Sequence, residues 1–400
     1  MSKFVVMDPR RNPYSPGAGL RPSELAGRGD DIEAFEILAD RAEAGRPDRS
    51  IVFTGLRGVG KTVLLQDLAG RAEQRGWITA RVEADRTSGP TSFTDGLARS
   101  LATSLRREQG RGKTKDRLVA ALRTVTSFSM SFNPDGAVSL GFDIDAARGR
   151  ADSGSLYADL TDLALDLADA AIELDVGVAV FIDEMQDLTA EELSAVCRAC
   201  HEAGQRSAPW YVIGCGLPNL PGALAAAESY AERLFEYRVI DRLDEAAAHA
   251  ALVNPARLEE VEWDADAAAH VVARSAGYPY FIQQFGQSTW NDAAQSPIAR
   301  ADAERGVEIG FERLDTGFFR ARWDRATPGE REYLAAMAVD GDGHSASGEV
   351  AARIGKKVTA LGPVRANLIS KGIIYAPEHG RIAFTVPGMA SFIDRRERTE

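Results

Sequence analysis

The sequence predicts an α/β fold, with a three-layer core around a mainly parallel sheet, a helical segment and a small C-terminal domain. Three observations lead to this expectation. Short apolar, β-prone runs alternate with helical patterns over residues 51–240. From residue 244 to about 313 the apolar spacing is helical throughout. The tail then holds three short helical segments and a hairpin, which is the layout of a winged helix.

Each element follows from its local pattern. The core strands are predicted from apolar runs at 51–54, 77–82, 176–182, 210–214 and 237–240. Helices are predicted where apolar residues recur every three or four positions, at 30–44, 63–69, 92–106, 155–174 and 191–202. The predicted domains are an extended leader (1–28), the core (29–242), a helical lid (243–315) and the winged helix (316–400).

An insertion at about 110–155 interrupts the alternation. Phe128, Met130 and Phe132 alternate with serines, the segment 133–136 supplies a turn, and alternation resumes over 138–144. This pattern predicts a β-hairpin with one apolar face. The hairpin face has two readings, packing on its own domain or contact with a neighbouring protomer or partner, and the pattern does not choose between them.

Bulk composition restricts the class of protein. The chain has 400 residues, 44% of them apolar and 26% charged, which predicts a globular protein of two or three domains. No apolar run approaches the roughly 18 residues of a membrane span, and the amino terminus lacks a signal-peptide pattern. Three cysteines fit a reducing compartment. We therefore expect a cytoplasmic protein without a membrane partner.

A glycine-rich loop carries the most specific chemical signal. Residues 55–62 read G-x-x-x-x-G-K-T, between the strand at 51–54 and the helix at 63–69. In this setting backbone N–H groups wrap phosphates at the positive end of the helix dipole. Lys61 is predicted to reach the β- and γ-phosphates, and Thr62 to ligate Mg²⁺. The residues predicted to contact nucleotide along the loop are Arg57, Gly58, Val59, Gly60, Lys61, Thr62 and Val63.

A second acidic element complements the loop. The buried strand predicted at 176–182 ends in Asp183 and Glu184. Acids at the carboxyl end of such a strand lie where open α/β sheets bind ligands. Asp183 is predicted to hold Mg²⁺ through water, and Glu184 to polarise the attacking water. The adjacent acids favour hydrolysis over nucleotide binding alone.

Charge is distributed unevenly along the chain. The net charge is −12, but residues 341–400 hold nine Lys or Arg against six Asp or Glu. This tail is thus the expected nucleic-acid face. Its third helix offers Lys356, Lys357, Thr359, Arg365 and Asn367 to a DNA major groove.

With these motifs in hand, the chain resembles AAA+ ATPases, near the boundary between origin-recognition (Orc/Cdc)-like and STAND-type ATPases. Gly55–Thr62 is similar to Walker A, and Val178–Glu184 to Walker B. The Gly214–Pro218 turn takes the sensor-one place with Gly-Cys-Gly where a polar residue is usual, and Asn219 is the nearest polar substitute.

The resemblance implies further site residues. Leader residues Leu25, Gly27 and Arg28 resemble the segment that lies against the adenine in these relatives. Arg233 holds the place of the arginine finger, which acts on a neighbour's nucleotide and implies a homo-oligomer. Pro279 resembles the lid proline that touches the base in STAND proteins.

Together these features predict a Mg²⁺-dependent ATPase switch that binds ATP and ADP. Its nucleotide state would control oligomerisation and DNA binding by the winged helix. The alternative is a signalling or scaffold ATPase whose winged helix and hairpin bind protein. A third possibility is a protein that binds ATP without turnover.

Overall fold

Five parallel strands form the main sheet of the protein, in the order β2-β3-β4-β1-β5. The strands are β1 (Ser50–Thr54), β2 (Ile78–Glu83), β3 (Val178–Asp183), β4 (Trp210–Gly216) and β5 (Phe235–Val239). This computed structural model describes residues 6–17, 19–85, 89, 91–110, 116–133 and 146–398. The α/β fold class predicted from the sequence is confirmed.

The chain divides into two units. The sheet unit comprises residues 29–54 and 61–239, and the helical unit comprises the chain up to residue 28, residues 55–60 and the chain from residue 240. The glycine-rich loop is therefore shared, because its first six residues pack within the helical unit and Lys61 begins a helix of the sheet unit.

The sheet unit surrounds its strands with helices. They are α1 (Gly29–Glu43), α2 (Lys61–Gln74), α3 (Ser92–Gly110), α4 (Asp116–Phe132), α5 (Leu156–Glu173), α6 (Ala190–Gln205), α7 (Leu220–Ala227) and α8 (Ala231–Leu234). Strands β1 and β4 are buried along their whole length, as their continuous apolar sequences predict for a sheet covered on both faces. The parallel register pairs Ile182 with Gly214, and Thr54 with Gly216. The carboxyl ends of β1, β3 and β4 therefore meet at one edge.

The helical unit begins with four helices, α9 (Glu245–Leu258), α10 (Ala265–Ser275), α11 (Pro279–Asp292) and α12 (Arg300–Arg313). A π-helical turn (Leu314–Phe319) and α13 (Arg320–Asp324) continue the chain. The C-terminal segment, residues 328–397, follows with α14 (Pro328–Ala338), β6 (Ser345–Ala346), α15 (Ser347–Ile354), α16 (Gly362–Ser370), β7 (Ile374–Tyr375), β8 (Arg381–Phe384) and α17 (Met389–Glu397).

The C-terminal segment has the predicted helices and hairpin, with additions. The third predicted helix is divided into a 3₁₀ turn (Val358–Leu361) and α16. Strand β6 pairs with β8 and makes a three-stranded sheet in the order β6-β8-β7. At two residues β6 is too short for a periodic signal in the sequence, and α17 was also not predicted.

The prediction that Phe128, Met130 and Phe132 lie in the first strand of a hairpin is wrong. Residues 116–132 form the continuous helix α4, and the rings of Phe128 and Phe132, one turn apart, are in tilted contact with centroids 5.2 Å apart. Leu118, Leu122 and Val125 share the buried face of α4 with Phe128, so helical spacing over 17 residues prevails over the local alternation. The rest of the predicted hairpin falls at 134–145, outside the described residues.

The leader is anchored on helices of the helical unit. Tyr14 is 2% exposed and donates its hydroxyl hydrogen to the Leu252 carbonyl at 2.5 Å. The Trp263 indole N–H donates to the Tyr14 oxygen at 3.1 Å, and the Trp290 indole donates to the Asp8 carbonyl at 2.9 Å. The leader is therefore an integral part of the unit's core. Within the described parts of the chain, none of the helices is long and apolar enough to cross a membrane.

Candidate functional site

The glycine-rich loop leads from β1 into α2, as the sequence predicts. Gly58 (φ +86°) and Gly60 (φ +94°) adopt left-handed conformations that side chains disfavour. A Cβ at Gly60 would meet nothing within 4 Å, so backbone conformation alone requires glycine there. Such a turn exposes consecutive N–H groups at the start of a helix, the arrangement that binds phosphate.

Helix α2 begins with the predicted phosphate and metal residues. Lys61 is its first residue and is 7% exposed, while Thr62 and Val63 are half-buried. The first turn of α2 holds no acidic residue, so its positive dipole end is uncompensated by side chains of that turn.

Asp183 ends β3 and is held by two donors. The Glu184 N–H donates to its Oδ1 at 2.8 Å, and the Cys215 thiol donates to the same oxygen at 2.9 Å. A carboxylate fixed through Oδ1 keeps a defined direction for Oδ2, which suits the water-mediated Mg²⁺ binding predicted for Asp183. The donor set of a threonine hydroxyl and a carboxylate is one that Mg²⁺ prefers, so these residues fit the ion.

Glu184 has an unusual backbone. Its φ of 49° and ψ of 38° lie in the left-handed region, which few non-glycine residues occupy and which is often found at functional sites. Its carboxylate accepts a hydrogen bond of 2.6 Å from the Gln186 amide. The predicted catalytic acid is thus held both through its backbone and through its side chain.

Cys215, in the Gly214–Pro218 segment predicted for the sensor-one place, lies near the end of β4. Burial, together with the adjacent negative charge of Asp183, raises the pKa of the Cys215 thiol well above its ordinary value. The group therefore stays a neutral hydrogen-bond donor. Asn219, the polar substitute considered from the sequence, precedes α7 and makes no side-chain cap there.

Within the helical unit, backbone atoms of loop residues 57–59 form hydrogen bonds with three other segments. The Arg57 N–H donates to the Thr385 carbonyl of the C-terminal segment at 2.9 Å. The Tyr280 N–H, in the first turn of α11, donates to the Gly58 carbonyl at 3.4 Å. Arg28 donates to the Val59 carbonyl at 2.8 Å. Arg28, the first turn of α11 and the C-terminal segment each bond a different residue of the loop.

A positive region surrounds Arg57. Burial and, next in size, the positive charge of Arg57 together lower the pKa of Arg322 to about 10. The Arg322 guanidinium lies 4.0 Å from the centre of the Phe318 ring and donates to the Phe318 carbonyl at 2.7 Å. Two guanidiniums close enough to repel each other favour a bound anion between or beside them.

The remaining predicted residues are placed as follows. Arg28 also donates to the Asp241 carbonyl at 2.7 Å, and it is 8% exposed. Gly27 is exposed with φ +66°, and Leu25 is half-buried. Pro279 is the first residue of α11, and its neighbour Tyr280 makes the contact with the loop.

Arg233 is exposed on the short helix α8. Across the described residues it forms no ion pair, and Glu236 pairs with Arg238 instead, at 2.8 Å. Within the described residues, Arg233 is therefore paired with neither Glu232 nor Glu236.

Sequence reasoning did not identify Gln186, Arg322 or Thr385. Gln186 lies two residues beyond Glu184, so the Walker B neighbourhood was the signal that could have found it. Arg322 and Thr385 are 260 or more residues from Arg57 along the chain. Nothing local marks such long-range neighbours.

Sheet order, phosphate loop and strand-end acids define a P-loop nucleotide-binding domain. Residues 24–214 match the family model described as AAA ATPase domain. This part of the chain is therefore an AAA+ P-loop ATPase domain, and the resemblance predicted from the motifs is confirmed at that level. Residues 316–393 match a domain of unknown function (DUF8462). No curated protein matches the chain.

Solved structures similar to this chain include a Walker-type ATPase of Pyrococcus abyssi. It is 14% identical, with a TM-score of 0.59 over 94% of this chain and 97% of the other, and this likeness shows the fold. The RuvB Holliday junction branch migration motor of Thermotoga maritima is 16% identical over 92% and 96% of the two chains, with a TM-score of 0.44. The Aeropyrum pernix Orc1 protein in complex with DNA is 14% identical over 95% and 96%, also with a TM-score of 0.44.

Proposed function

We propose that this protein is a Mg²⁺-dependent ATPase of AAA+/STAND type that works as a nucleotide-gated switch. Loop residues 55–62 bind the phosphates, Lys61 and Thr62 contact the β- and γ-phosphates and the metal ion, and Asp183 holds the metal through water. The metal ion, when bound, neutralises charge that develops on the phosphates. Glu184 orients the attacking water.

One observation supports the proposal that the protein is a nucleotide-gated switch. Three successive loop residues, Arg57, Gly58 and Val59, are each hydrogen-bonded by a different part of the helical unit. A change in loop conformation on nucleotide binding would alter all three contacts together. The Arg57–Thr385 bond is the one that reaches the C-terminal segment, so nucleotide state would act on that segment directly.

The enzymatic part is tested with two substitutions. Lys61→Ala should abolish ATP binding, whereas Glu184→Gln should keep ATP binding and lose at least 100-fold in turnover. Glu191→Gln, at an exposed position at the start of α6, is the matched control. A wild-type protein that binds ATP but never releases phosphate would contradict the ATPase and support a binder without turnover.

The switch is tested by hydrogen exchange. With ATP and Mg²⁺, the Glu184→Gln variant should change the exchange of amides in 372–386 relative to the nucleotide-free state, because Thr385 is tied to the loop. The Lys61→Ala variant should show no such nucleotide effect. Identical exchange in all states would contradict the coupling.

DNA contact by the C-terminal segment is the proposed output. Lys356, Lys357, Thr359 and Asn367 are exposed along the turn and helix that the winged-helix layout directs to a major groove. Lys356 is paired with Glu332 at 2.9 Å, a contact that DNA phosphates would displace. Arg365 is half-buried, which leaves it less available than the lysines.

Charge reversal tests this output. Lys356→Glu with Lys357→Glu should weaken duplex DNA binding at least tenfold and reduce the salt slope by about two. Arg46→Glu with Arg49→Glu, two exposed arginines of the sheet unit, is the matched control. Unchanged affinity would favour the alternative, a scaffold ATPase whose C-terminal segment binds protein.

Arg233 is proposed as an arginine finger that acts in a homo-oligomer. Its exposure on α8, without an ion pair in the described part of the chain, supports this role. Sedimentation without nucleotide, with ADP, and with ATP plus Mg²⁺ tests the assembly. A monomer in every state would contradict it.

A further inference from the structure

The contacts of Gln186 indicate a role that was not predicted from the sequence. We propose that Gln186 is a positioning residue that holds the Glu184 carboxylate, and that Gly216, at the end of β4, leaves the space that the Gln186 amide occupies. The inference rests on the proposed ATPase function, because Glu184 has a catalytic role only in that reaction.

The turn after β3 directs Gln186 toward β4. Glu184 is left-handed, and its carbonyl accepts the Asp187 N–H at 2.7 Å, which closes the short 3₁₀ turn Met185–Asp187. Both Met185 and Gln186 are buried, at 0% and 7% exposure. A polar side chain is therefore carried inward immediately beside a predicted catalytic acid.

Two hydrogen bonds fix the Gln186 amide. Its Oε1 accepts the Leu217 backbone N–H at 3.0 Å, and its Nε2 donates to Glu184 Oε2 at 2.6 Å. A backbone N–H can only donate, so it must face the amide oxygen, and the amide nitrogen must face Glu184. The orientation of this amide is thus determined by chemistry.

The sequence of β4 fits this arrangement residue by residue. A Cβ at Gly214 would lie 2.5 Å from Met185 Sδ, and one at Gly216 would lie 2.5 Å from Gln186 Oε1. Cys215, between them, donates to Asp183. The Gly-Cys-Gly run that departs from the usual sensor-one pattern is explained by these contacts, since each residue accommodates or bonds one residue of 183–186.

The consequence is a continuous connection from the backbone of Leu217, the residue after β4, to the predicted catalytic acid. The donor to the Glu184 carboxyl group is a neutral amide, which gives a hydrogen bond but does not act as a base. Gln186 therefore restricts where the Glu184 oxygens lie. Loss of this restraint should lower turnover without changing the affinity for ATP, because Gln186 has no predicted contact with nucleotide.

Three variants test the assignment in the full-length protein. Gln186→Glu keeps an acceptor for Leu217 but replaces the donor that faces Glu184, and Gln186→Met removes both groups at similar volume. We expect both to lower kcat at least tenfold, with KM for ATP within about threefold of wild type. Gln205→Glu, the same substitution at an exposed position at the end of α6, is the control and should keep the wild-type kcat.

The outcomes separate this inference from the proposed function. A merely structural Gln186 predicts that Gln186→Glu, which keeps the Leu217 bond, retains both the wild-type Tm and the wild-type kcat. That result, or a rise in kcat, would overturn the positioning role. A wild-type protein without ATPase activity would instead refute the proposed function.

A double-mutant cycle adds an independent check. A Cβ at Gly216 would lie 2.5 Å from Gln186 Oε1 and 2.8 Å from Leu220 Cδ2. Gly216→Ala should lower kcat because the new methyl group displaces the Gln186 amide, and it should lower kcat less when Gln186 is already Met, because only the Leu220 contact then remains to be disturbed. Equal fold-losses in both backgrounds would show that Gly216 acts without Gln186 and would overturn the inference.

Discussion

Tyr14→Phe tests whether the leader is part of the core of the helical unit. The substitution keeps the buried ring, which has edge contacts with Trp263 and Trp290 at centroid distances of 6.5 and 6.3 Å. It removes only the hydroxyl, which bonds both the Leu252 carbonyl and the Trp263 indole. Burial raises the pKa of Tyr14, so the hydroxyl remains a donor at any working pH.

The expected loss in the free energy of unfolding depends on which polar groups lose their hydrogen-bond partner in Tyr14→Phe. Leu252 lies inside α9, where its carbonyl can keep a helical bond to a later N–H. The Trp263 indole N–H loses the Tyr14 oxygen that it bonds in the native protein. An unsatisfied buried donor costs about 1–3 kcal/mol, which is the expected loss in the free energy of unfolding of this unit.

Hydrogen exchange measures this loss locally. Amides of α9 and α11 should lose about 1–3 kcal/mol of protection in Tyr14→Phe. Tyr375→Phe is the matched control, because Tyr375 is 5% exposed and its hydroxyl has no hydrogen bond within the described residues. A loss below about 0.5 kcal/mol, equal to the control, would refute the reasoning.

Three further predictions concern charge, thiols and assembly. Burial raises the pKa of Glu330, but hydrogen bonds from Lys371 and the Thr327 backbone outweigh it, and the pKa lies below its ordinary value of 4.5. Glu330→Gln should therefore lower Tm at pH 7, by an amount that shrinks as calorimetry is carried below pH 4.5, and a constant difference would contradict this. Burial raises the pKa of both Cys197 and Cys200 to about 12, so neither should react with a thiol reagent at pH 8 until the protein unfolds, and fast labelling of the native protein would be inconsistent with their burial. Arg233→Ala should lower ATP turnover about 1,000-fold and leave ATP binding intact, and an unchanged rate would exclude a finger role.

Much of the sheet unit could be predicted from the sequence. Strands β1, β3 and β4 are continuous apolar runs, which only a doubly covered sheet accommodates, and the loop at 55–62 has fixed spacing. The insertion shows the limit of this approach. Phe128, Met130 and Phe132 alternate as in a strand, yet they belong to a helix of 17 residues whose buried residues lie between Leu118 and Ser129. A five-residue pattern is too short to separate the two periods.

The sequence by itself predicted the chemistry of the loop and of the strand-end acids, because that prediction depends on local spacing within adjoining elements. The tertiary structure alone decided which groups hold them. Gln186 reaches Glu184 only because Gly216 leaves space on a neighbouring strand. Thr385 reaches Arg57 across more than 300 residues of chain. Such contacts depend on packing between distant segments, which local propensity and periodicity do not encode.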